Sequence, residues 1–389
     1  MRVLLAFDKF KDSLTAQSAC AIAARALGER HRDWTLDLCP LADGGEGFCE
    51  ILTTSAGGEL KTFSVDAPRG GLVDASLGLV SRERIPPAAR TLLSLEDRES
   101  NIENPTRRIA IIEMATASGL AHLTPELRDP WHTTSRGTGQ LVRAATELGA
   151  ASILLGVGGS ATHDLGLGAL DALGLTCRDA AGDLVSPPIP AHWSRITRLD
   201  GAVSPALPPI RIACDVTNPL LGPRGAAAVY GPQKGLHAAD LARLDHASAR
   251  LALLLCAHGG QPDSLMDTPG AGAAGGLSFG LMAGAGAQLL AGFDLVAAWL
   301  DLDARLAAAD MVITGEGRFD ESSLSGKGPG AVAARALALG KPVHVFAGSV
   351  TAATRAGFAL HAITRADTSL PQALREAPAN LSATVRRVF

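Results

Sequence analysis

The sequence predicts an α/β fold with mostly parallel sheets. Short apolar runs alternate with segments of helical periodicity along most of the chain, and this alternation is typical of repeated strand–helix units. Glycine-rich turns stand between several of the apolar runs and the helices that follow them. The 389 residues exceed the usual size of a single hydrophobic core, so we expect two domains.

The individual elements follow from this pattern. The first strand is expected at Val3–Phe7, before a helix that Thr15 caps and that runs to about Leu27. The other predicted strands are Thr35–Cys39, Val73–Val80, Ile109–Met114, Ser152–Leu155, Arg211–Cys214, Met311–Thr314, Val343–Phe346 and Ala359–Ile363. Five more helices are predicted. The first ends near Leu148, the second spans about Ala238–Ala257, and the third follows the Gly270–Gly276 loop. The fourth ends near Ala309, and the fifth spans Val332–Leu339.

The pattern weakens in the middle of the chain. Ser81–Arg108 contains proline and many charges and is expected to be a surface excursion of low order. Ala180–Pro209 is rich in proline and is expected to be a loop. We therefore predict one domain from residues 1–62 plus 288–389, interrupted by a second domain, residues 63–287.

Composition excludes several classes of function. A net charge of −4 without a Lys/Arg-rich block predicts no nucleic-acid partner. No apolar run reaches the roughly 18 residues of a membrane span, and the N-terminus is too quickly charged for a signal peptide. The six cysteines are scattered without a Cys-x-x-Cys pair, so we expect reduced thiols in a cytoplasmic protein.

The most informative stretch is Ala151–Leu170. A short apolar run there leads into a turn in which five glycines alternate with Ser160, Thr162, His163 and Asp164. Glycines let the backbone approach a ligand, and amides at the start of a helix attract anions. The stretch therefore predicts a phosphate or polar-substrate site, although a tight turn chosen only for packing is the simpler alternative.

Carboxylates recur at or just beyond the ends of predicted strands: Asp8, Asp43, Glu113, Asp215 and Glu316. Lysines occupy loops at the same ends: Lys9, Lys11, Lys234 and Lys327. Ligands of open α/β sheets bind at the carboxyl ends of the strands. Carboxylates hold Mg²⁺, and lysines and amides neutralise phosphate oxygens. The pattern thus predicts an enzyme that transfers phosphoryl groups with Mg²⁺.

Each of these residues also has a structural explanation. Asp43, Asp164 and Asp320 could be helix caps, and Glu113 could be a neutral or paired buried carboxyl group. There is no Gly-x-x-x-x-Gly-Lys-[Ser/Thr] motif and no protein-kinase motif set. Gly156-x-Gly158-x-x-Ala161 leaves an NAD(P)-dependent oxidoreductase open, and a non-catalytic protein that binds a sugar acid is a third alternative.

Six motifs follow one another along the chain: 7–14 (FDKFKDSL), 40–47 (PLADGGEG), 158–164 (GGSATHD), 214–220 (CDVTNPL), 231–235 (GPQKG) and 313–320 (ITGEGRFD). In this order they resemble the signatures of bacterial type-I glycerate kinases, and they cover nearly the whole chain. The chain departs from the family pattern at His163, where asparagine is usual, and at Gln140, where glutamate is frequent. The excursion at 81–108 is also longer than usual.

The resemblance implies a Rossmann- or flavodoxin-like domain with an inserted α/β domain and an active-site cleft between them. It implies phosphorylation of D-glycerate with ATP and Mg²⁺, with 2-phosphoglycerate as the product. Another small hydroxy or sugar acid is the alternative acceptor. The expected partners are these small molecules, without nucleic acid or membrane, and the oligomeric state stays open.

The resemblance also assigns roles to residues. Asp43, Asp215 and Glu316 are candidates for metal ligands and for the catalytic base, and the sequence leaves their order open. Lys9 is a further candidate catalytic residue, and Lys9, Lys11 and Lys234 are expected to face phosphate or the substrate carboxylate. The remaining candidates for substrate or phosphate binding are Ser13, Gly158, Gly159, Ser160, Thr162, Asp164, Asn218, Gly315, Gly317 and Asp320.

Overall fold

The structure is a computed structural model, and it describes residues 1–94, 108–321, 323, 328–351 and 357–389. The chain forms two compact units. The first unit contains Met1–Asp43, Pro86–Ala89 and Phe293–Phe389, and the second contains Gly44–Ile85 and Arg90–Gly292. The predicted division lay after residue 62 and before residue 288, whereas residues 44–62 group with the second unit here.

Thirteen strands and thirteen α-helices are found in the described part of the chain. The strands are β1 (Arg2–Phe7), β2 (Thr35–Leu38), β3 (Glu59–Asp66), β4 (Leu72–Ser81), β5 (Arg108–Glu113), β6 (Ser152–Gly156), β7 (Thr176–Arg178), β8 (Arg198–Asp200), β9 (Ile210–Ala213), β10 (Gln288–Leu290), β11 (Met311–Phe319), β12 (Val343–Val350) and β13 (Phe358–Ala362). The helices are α1 (Ala16–Gly28), α2 (Phe48–Ser55), α3 (Pro87–Leu92), α4 (Ala115–Ser118), α5 (Arg136–Glu147), α6 (Leu167–Ala172), α7 (Ala226–Tyr230), α8 (Leu241–Gly259), α9 (Ala273–Ala285), α10 (Gly292–Trp299), α11 (Leu302–Ala308), α12 (Gly328–Ala338) and α13 (Leu370–Val388).

The first unit is built on a five-stranded parallel sheet in the order β13-β12-β11-β1-β2. Within the unit this is the flavodoxin-like order 2-1-3-4-5, which reverses direction between β1 and β11. The register pairs Phe7 with Gly315. Ligands of such sheets bind at the carboxyl ends of the strands where the order reverses, and Asp8 and Glu316 are the next residues on these two strands.

Alternation along β1 buries both faces of this sheet. Val3, Leu5 and Phe7 belong to a core that includes residues of α1 and α13. Leu4 and Ala6 point to the opposite face and are equally buried, and α12 contacts β11 and β12. At the start of α1, Thr15 Oγ1 accepts a hydrogen bond from the Ser18 amide at 3.1 Å, as the sequence predicts for a capping threonine.

The second unit contains a six-stranded mixed sheet in the order β10-β9-β6-β5-β4-β3. The four strands from β5 to β10 run parallel, while β3 and β4 are antiparallel additions at one edge. β7 and β8 form a separate antiparallel pair. One large core joins the inward residues of β5, β6 and β9 to α5, α8 and α9.

The predicted α/β fold with parallel sheets is confirmed, and every predicted strand is present within a few residues of its expected bounds. The elements that were not predicted include β3, β7, β8, β10, α3, α4, α7 and α13. β3 alternates weakly because most of its residues are only partly buried at the edge of the sheet. β7 and β8 have three residues each and depend on one another for pairing.

Three expectations were wrong in detail. The helix expected to end near Ala309 is two helices, α10 and α11, because Asp301 between them adopts a left-handed conformation. β11 continues to Phe319, so Glu316 lies inside the strand and not beyond its end. Ala180–Pro209 is not only loop, because β8 lies within it.

The expected low order of Ser81–Arg108 is also wrong for its first part. α3 forms there, and Ile85, Ala89 and Leu93 are almost completely buried. Ala89 lies in α3, and Ile85 and Leu93 flank the helix on its two sides, so this segment is packed into the protein. Residues 95–107, like the predicted loop lysine Lys327, lie outside the described residues. None of the described helices combines the length and the hydropathy needed to cross a membrane.

Candidate active site

Four carboxylates gather at the point where the strand order of the first unit reverses. Asp8 follows β1, Asp43 follows β2, Glu316 lies in β11 and Asp320 follows it; we call these four residues the carboxylate cluster. Lys9 Nζ lies 3.3 Å from Asp43 Oδ1 and 3.8 Å from Asp8 Oδ1. The sheet thus brings together four predicted site residues of this unit from distant parts of the chain: Lys9, Asp43, Glu316 and Asp320.

Glu316 has the most unusual environment in this cluster. The pKa of its carboxyl group is raised to about 7, mainly by burial and also by the negative charges of Asp8, Asp320 and Asp43, against a hydrogen bond from Ser323. Its Oε1 atom is buried and has no hydrogen-bond partner among the described residues. Glu316 is therefore an acceptor whose proton affinity is matched to neutral pH.

The remaining predicted residues of the first unit have mainly structural contacts. Ser13 Oγ donates to the Phe10 carbonyl at 3.1 Å, and Lys11 is exposed. A side chain at Gly315 would collide with the backbone of β12, so this glycine is required by the sheet itself. A Cβ atom added at Gly317 would lie 3.2 Å from the Lys11 amide nitrogen, so the backbone is closely packed at this position too.

In the second unit, Gly158–Asp164 forms a loop after β6, which we call the glycine loop. The Gly158 amide donates to the Gly44 carbonyl at 3.0 Å, and a side chain at Gly158 would come within 2.5 Å of Gly45 Cα. Gly159 has a φ of +72°, which favours glycine. Two of the glycine-rich motifs in the sequence therefore pack directly on each other.

Asp164 closes the glycine loop and is fully buried. Its carboxylate accepts hydrogen bonds from the Ser135 amide at 2.6 Å, the Ser135 hydroxyl at 2.8 Å, and the amides of Gly166 and Gly168 at 3.1 and 3.2 Å. The amides at the start of α6, which we expected to bind a ligand anion, therefore bind the chain's own carboxylate. Asp164 thus holds the loop through four hydrogen bonds within the protein.

Lys234 lies beneath the glycine loop and is also buried. Its Nζ donates to Ser160 Oγ at 2.8 Å and to the Thr162 carbonyl at 2.7 Å. Burial lowers the pKa of Lys234 to about 7, while the negative charge of Asp164 acts in the opposite direction. The predicted residues Ser160, Thr162 and Lys234 are thus brought together, with the ammonium group inside the protein and not at its surface.

His163 connects the same loop to α8. Its Nε2 lies 3.2 Å from Ser248 Oγ, and the Ser248 hydroxyl donates its single proton to the Leu244 carbonyl at 2.8 Å. Nε2 must therefore carry the proton, and Nδ1 is the unprotonated nitrogen. Burial, aided by the charge of Lys234, lowers the pKa of His163 to about 3, so the imidazole is neutral.

Asp215 and Asn218 follow β9 in the second unit and are partly buried. Asn218 Nδ2 donates to the Arg224 carbonyl at 2.8 Å, and Tyr230 donates its hydroxyl proton to Asn218 Oδ1 at 2.6 Å. Asn218 therefore orders the chain between β9 and α7. Gln140, which departs from the family pattern, accepts a hydrogen bond from the Asp66 amide at 2.7 Å and anchors the end of β3.

Glu113 turns out to be paired. The Gly47 and Cys49 amides at the start of α2 donate to its Oε2 at 3.0 and 3.4 Å, where a negative charge is favourable. We expect Glu113→Gln to lower the free energy of unfolding by about 1–2 kcal/mol, because an uncharged acceptor is weaker, and to leave kcat unchanged. Urea denaturation and steady-state kinetics measure both, and a loss of kcat without a loss of stability would contradict this role.

Sequence reasoning missed Ser135 and Ser248. Each is a small polar residue whose partner lies far along the chain, Asp164 at a separation of 29 residues and His163 at 85. The only signal was the presence of a serine before α5 and within α8. Among the described residues, no three His, Cys, Asp or Glu side chains are arranged to hold a metal ion.

Comparison with known proteins decides the family. The glycerate kinase family model matches residues 3–389. The chain belongs to the glycerate kinase family. It is 37% identical over 359 residues to a glycerate 2-kinase of Escherichia coli, covering 90% of this chain and 86% of that protein. It is 38% identical over 354 residues to a glycerate kinase of Haemophilus influenzae, with coverage of 90% and 86%.

A solved structure agrees with this assignment. A crystal structure described as glycerate kinase 2 from Salmonella typhimurium matches with a TM-score of 0.76 and 38% identity, covering 100% of this chain and 97% of that one. The predicted resemblance to glycerate kinases is thus confirmed, and the chain is an enzyme of the kinase class. Membership of the glycerate kinase family favours this class over the oxidoreductase and the non-catalytic binding protein, and it implies small-molecule substrates.

Proposed function

We propose that the chain transfers the γ-phosphoryl group of ATP to the 2-hydroxyl group of D-glycerate, with Mg²⁺, and releases ADP and 2-phosphoglycerate. The observation that carries the proposal is Glu316, a buried carboxyl group with an unpartnered oxygen at the reversal point of the first sheet. The position of the phosphorylated hydroxyl is supported by the name of the Escherichia coli relative, a glycerate 2-kinase.

Glu316 is the proposed general base. Transfer forms a bond between the substrate hydroxyl oxygen and phosphorus and breaks the bond to the ADP oxygen, while the hydroxyl proton goes to Glu316 Oε1. A base works best when its pKa lies near the working pH, and burial raises the pKa of Glu316 to about 7. Lys9, held between Asp8 and Asp43, offsets part of the negative charge that these two carboxylates place near Glu316.

The carboxylate cluster also fits the chemistry of Mg²⁺. Its donors are all carboxylate oxygens, which Mg²⁺ prefers, and this ion usually takes only one or two carboxylates together with substrate phosphates and water. A ready-made group of three protein ligands is therefore unnecessary. Asp43, a member of this cluster, is the proposed ligand. When bound, Mg²⁺ would neutralise charge on the phosphate oxygens.

The glycine loop is the proposed anion-binding element of the second unit. Its hydroxyl groups and the positive charge of Lys234 beneath it suit a carboxylate or phosphate group. Asp164 supports this role by fixing the loop from behind. Gly159, exposed beside Ser160, leaves the outer side of the loop accessible.

Release of ADP coupled to NADH oxidation tests the proposal. We expect turnover with D-glycerate, no turnover with L-glycerate, and loss of turnover when EDTA removes Mg²⁺, with recovery on adding Mg²⁺ back. Full activity in EDTA would remove the metal from the proposal. Turnover with another hydroxy acid but not with D-glycerate would overturn the substrate assignment.

A further inference from the structure

We propose that Lys234 binds no substrate atom itself and instead polarises the Ser160 hydroxyl group, which donates its proton to an anionic oxygen of a substrate. The oxygen belongs either to the carboxylate of D-glycerate or to a phosphate of ATP. This inference rests on the proposed function and adds the two consecutive hydrogen bonds through which the buried ammonium group acts on the ligand. Ser160 is then the ligand-binding residue and Lys234 a positioning residue.

The hydrogen bonds of Ser160 determine the direction of its proton. A serine hydroxyl has one proton to donate and can also accept. Ser160 Oγ accepts from Lys234 Nζ at 2.8 Å, and this is its single hydrogen-bond partner in the described part of the chain. Its own proton is therefore available to a ligand, and a charged donor behind the oxygen strengthens that bond.

The position of Lys234 argues against direct contact with a substrate. Its side chain is 1% exposed, whereas Ser160 retains 8% exposure. Two of the three ammonium protons are already committed, to Ser160 Oγ and to the Thr162 carbonyl. The ammonium group thus binds two residues of the loop from inside the protein, and of the hydrogen-bonded pair Ser160 is the more exposed residue.

Two titratable groups face Lys234. Asp164 lies on one side with its carboxylate saturated by four hydrogen bonds. His163 lies on another side, and Ser248 fixes it as the Nε2–H form, in which it is neutral. Burial raises the pKa of Asp164, and its four hydrogen bonds act against that rise. Lys234 has a pKa of about 7, so its charge is the one on which the expected pH dependence rests.

The proposal predicts a specific pH dependence. Below neutrality Lys234 is charged and Ser160 is a strong donor; above neutrality the charge is lost and the anion is bound less well. A descending limb is expected in kcat/KM above neutral pH, of up to roughly 10-fold for each pH unit beyond about 7. Loss of the Glu316 proton gives an ascending limb on the acid side, so the wild-type profile is bell-shaped and the descending limb is the part that Ser160→Ala should remove. The carboxyl group of D-glycerate is ionised throughout this range.

Kinetics of the wild type, Ser160→Ala, Lys234→Met and the double variant test the path. Measuring kcat/KM for D-glycerate at saturating ATP, and for ATP at saturating D-glycerate, shows which ligand supplies the anion, because only that value has the descending limb. Ser160→Ala should lower kcat/KM at pH 6 by about 10- to 100-fold, the size expected for a charge-assisted hydrogen bond, and should abolish the limb. Lys234→Met should do the same, and the double variant should lose nothing more.

Matched controls are Lys61→Met and Ser204→Ala, which remove a partly exposed lysine and an exposed serine of the same unit. Both should keep the wild-type pH profile. A descending limb that persists in Ser160→Ala would mean that Lys234 contacts the anion directly. A descending limb that persists in Lys234→Met would mean that another group titrates. Either result overturns the proposal, and so does a wild type without a descending limb. A wild type that does not phosphorylate D-glycerate would instead refute the proposed function. Ser160→Ala removes one oxygen atom, so it keeps the test decisive if Lys234→Met folds poorly.

Discussion

Glu316→Gln is expected to lower kcat by roughly 100- to 10,000-fold, the usual contribution of a general base, while making the protein more stable above neutral pH. Both effects have one cause. The carboxyl group is buried beside Asp8, Asp43 and Asp320, which raises its pKa to about 7, so ionisation is costly in the folded state. Glutamine has nearly the same shape but never carries the charge.

The direction of the stability effect follows from proton linkage. The folded-state pKa of Glu316, about 7, lies above the ordinary value of 4.5, so the folded protein holds this proton more tightly than the unfolded chain. The free energy of unfolding therefore falls as pH rises from about 4.5 to about 7. At about pH 8, Glu316→Gln should regain about 1–3 kcal/mol of this loss.

Urea denaturation at about pH 5 and pH 8, together with steady-state kinetics, measures these effects. The matched control is Glu376→Gln, an exposed glutamate on α13, which should change neither kcat nor the pH dependence of stability. The wild type should also show activity rising as Glu316 loses its proton, with an apparent pKa at or below about 7. Retention of kcat in Glu316→Gln would remove Glu316 as the base.

Asp164→Asn is expected to lower the free energy of unfolding by about 3 kcal/mol, the size of breaking a buried and fully bonded charge. The four donors that meet the carboxylate come from Ser135, Gly166 and Gly168. An asparagine carboxamide keeps one acceptor oxygen, and its NH₂ group faces protein donors. The effect should be several times larger than that of Glu113→Gln.

The Asp164→Asn variant distinguishes a structural role of Asp164 from a role in orienting a ligand. The structural role predicts a large drop in the urea midpoint with an unchanged m-value, and a kcat that is partly recovered at low temperature, where the folded form is populated. The matched control is Asp183→Asn, an exposed aspartate of the same unit, with wild-type stability expected. A fully stable Asp164→Asn variant without activity would contradict the structural role.

The general fold was predictable because it depends on local patterns. Each strand that lies inside a parallel sheet, such as β1 or β6, is a continuous buried apolar run, and such runs are visible in the sequence. The reversal of strand order between β1 and β11 was not visible, because it depends on pairing residues about 300 positions apart. The carboxylate cluster was anticipated as a row of acids, but not as one group.

The roles within the candidate site were harder to predict. Lys234 and Ser160 are 74 residues apart, and nothing local to the Gly231–Gly235 turn indicates that its lysine is buried under another loop. Glu113 and Asp164 both carry the signature of a ligand-binding acid, yet each satisfies the amides at the start of a helix. Residue type and position relative to a strand predict which charged residues lie near the site. Their hydrogen-bond partners in the structure determine which of these residues can still bind a substrate.

The most direct test of the central claim is the identity of the product. The purified enzyme is incubated with ATP, Mg²⁺ and D-glycerate, and the phosphorylated acid is identified by phosphorus NMR against authentic 2- and 3-phosphoglycerate. We expect the 2-phosphoglycerate signal, which disappears in Glu316→Gln and remains in Glu376→Gln. A 3-phosphoglycerate signal, or no phosphorylated acid from a folded protein that binds ATP, would contradict the claim.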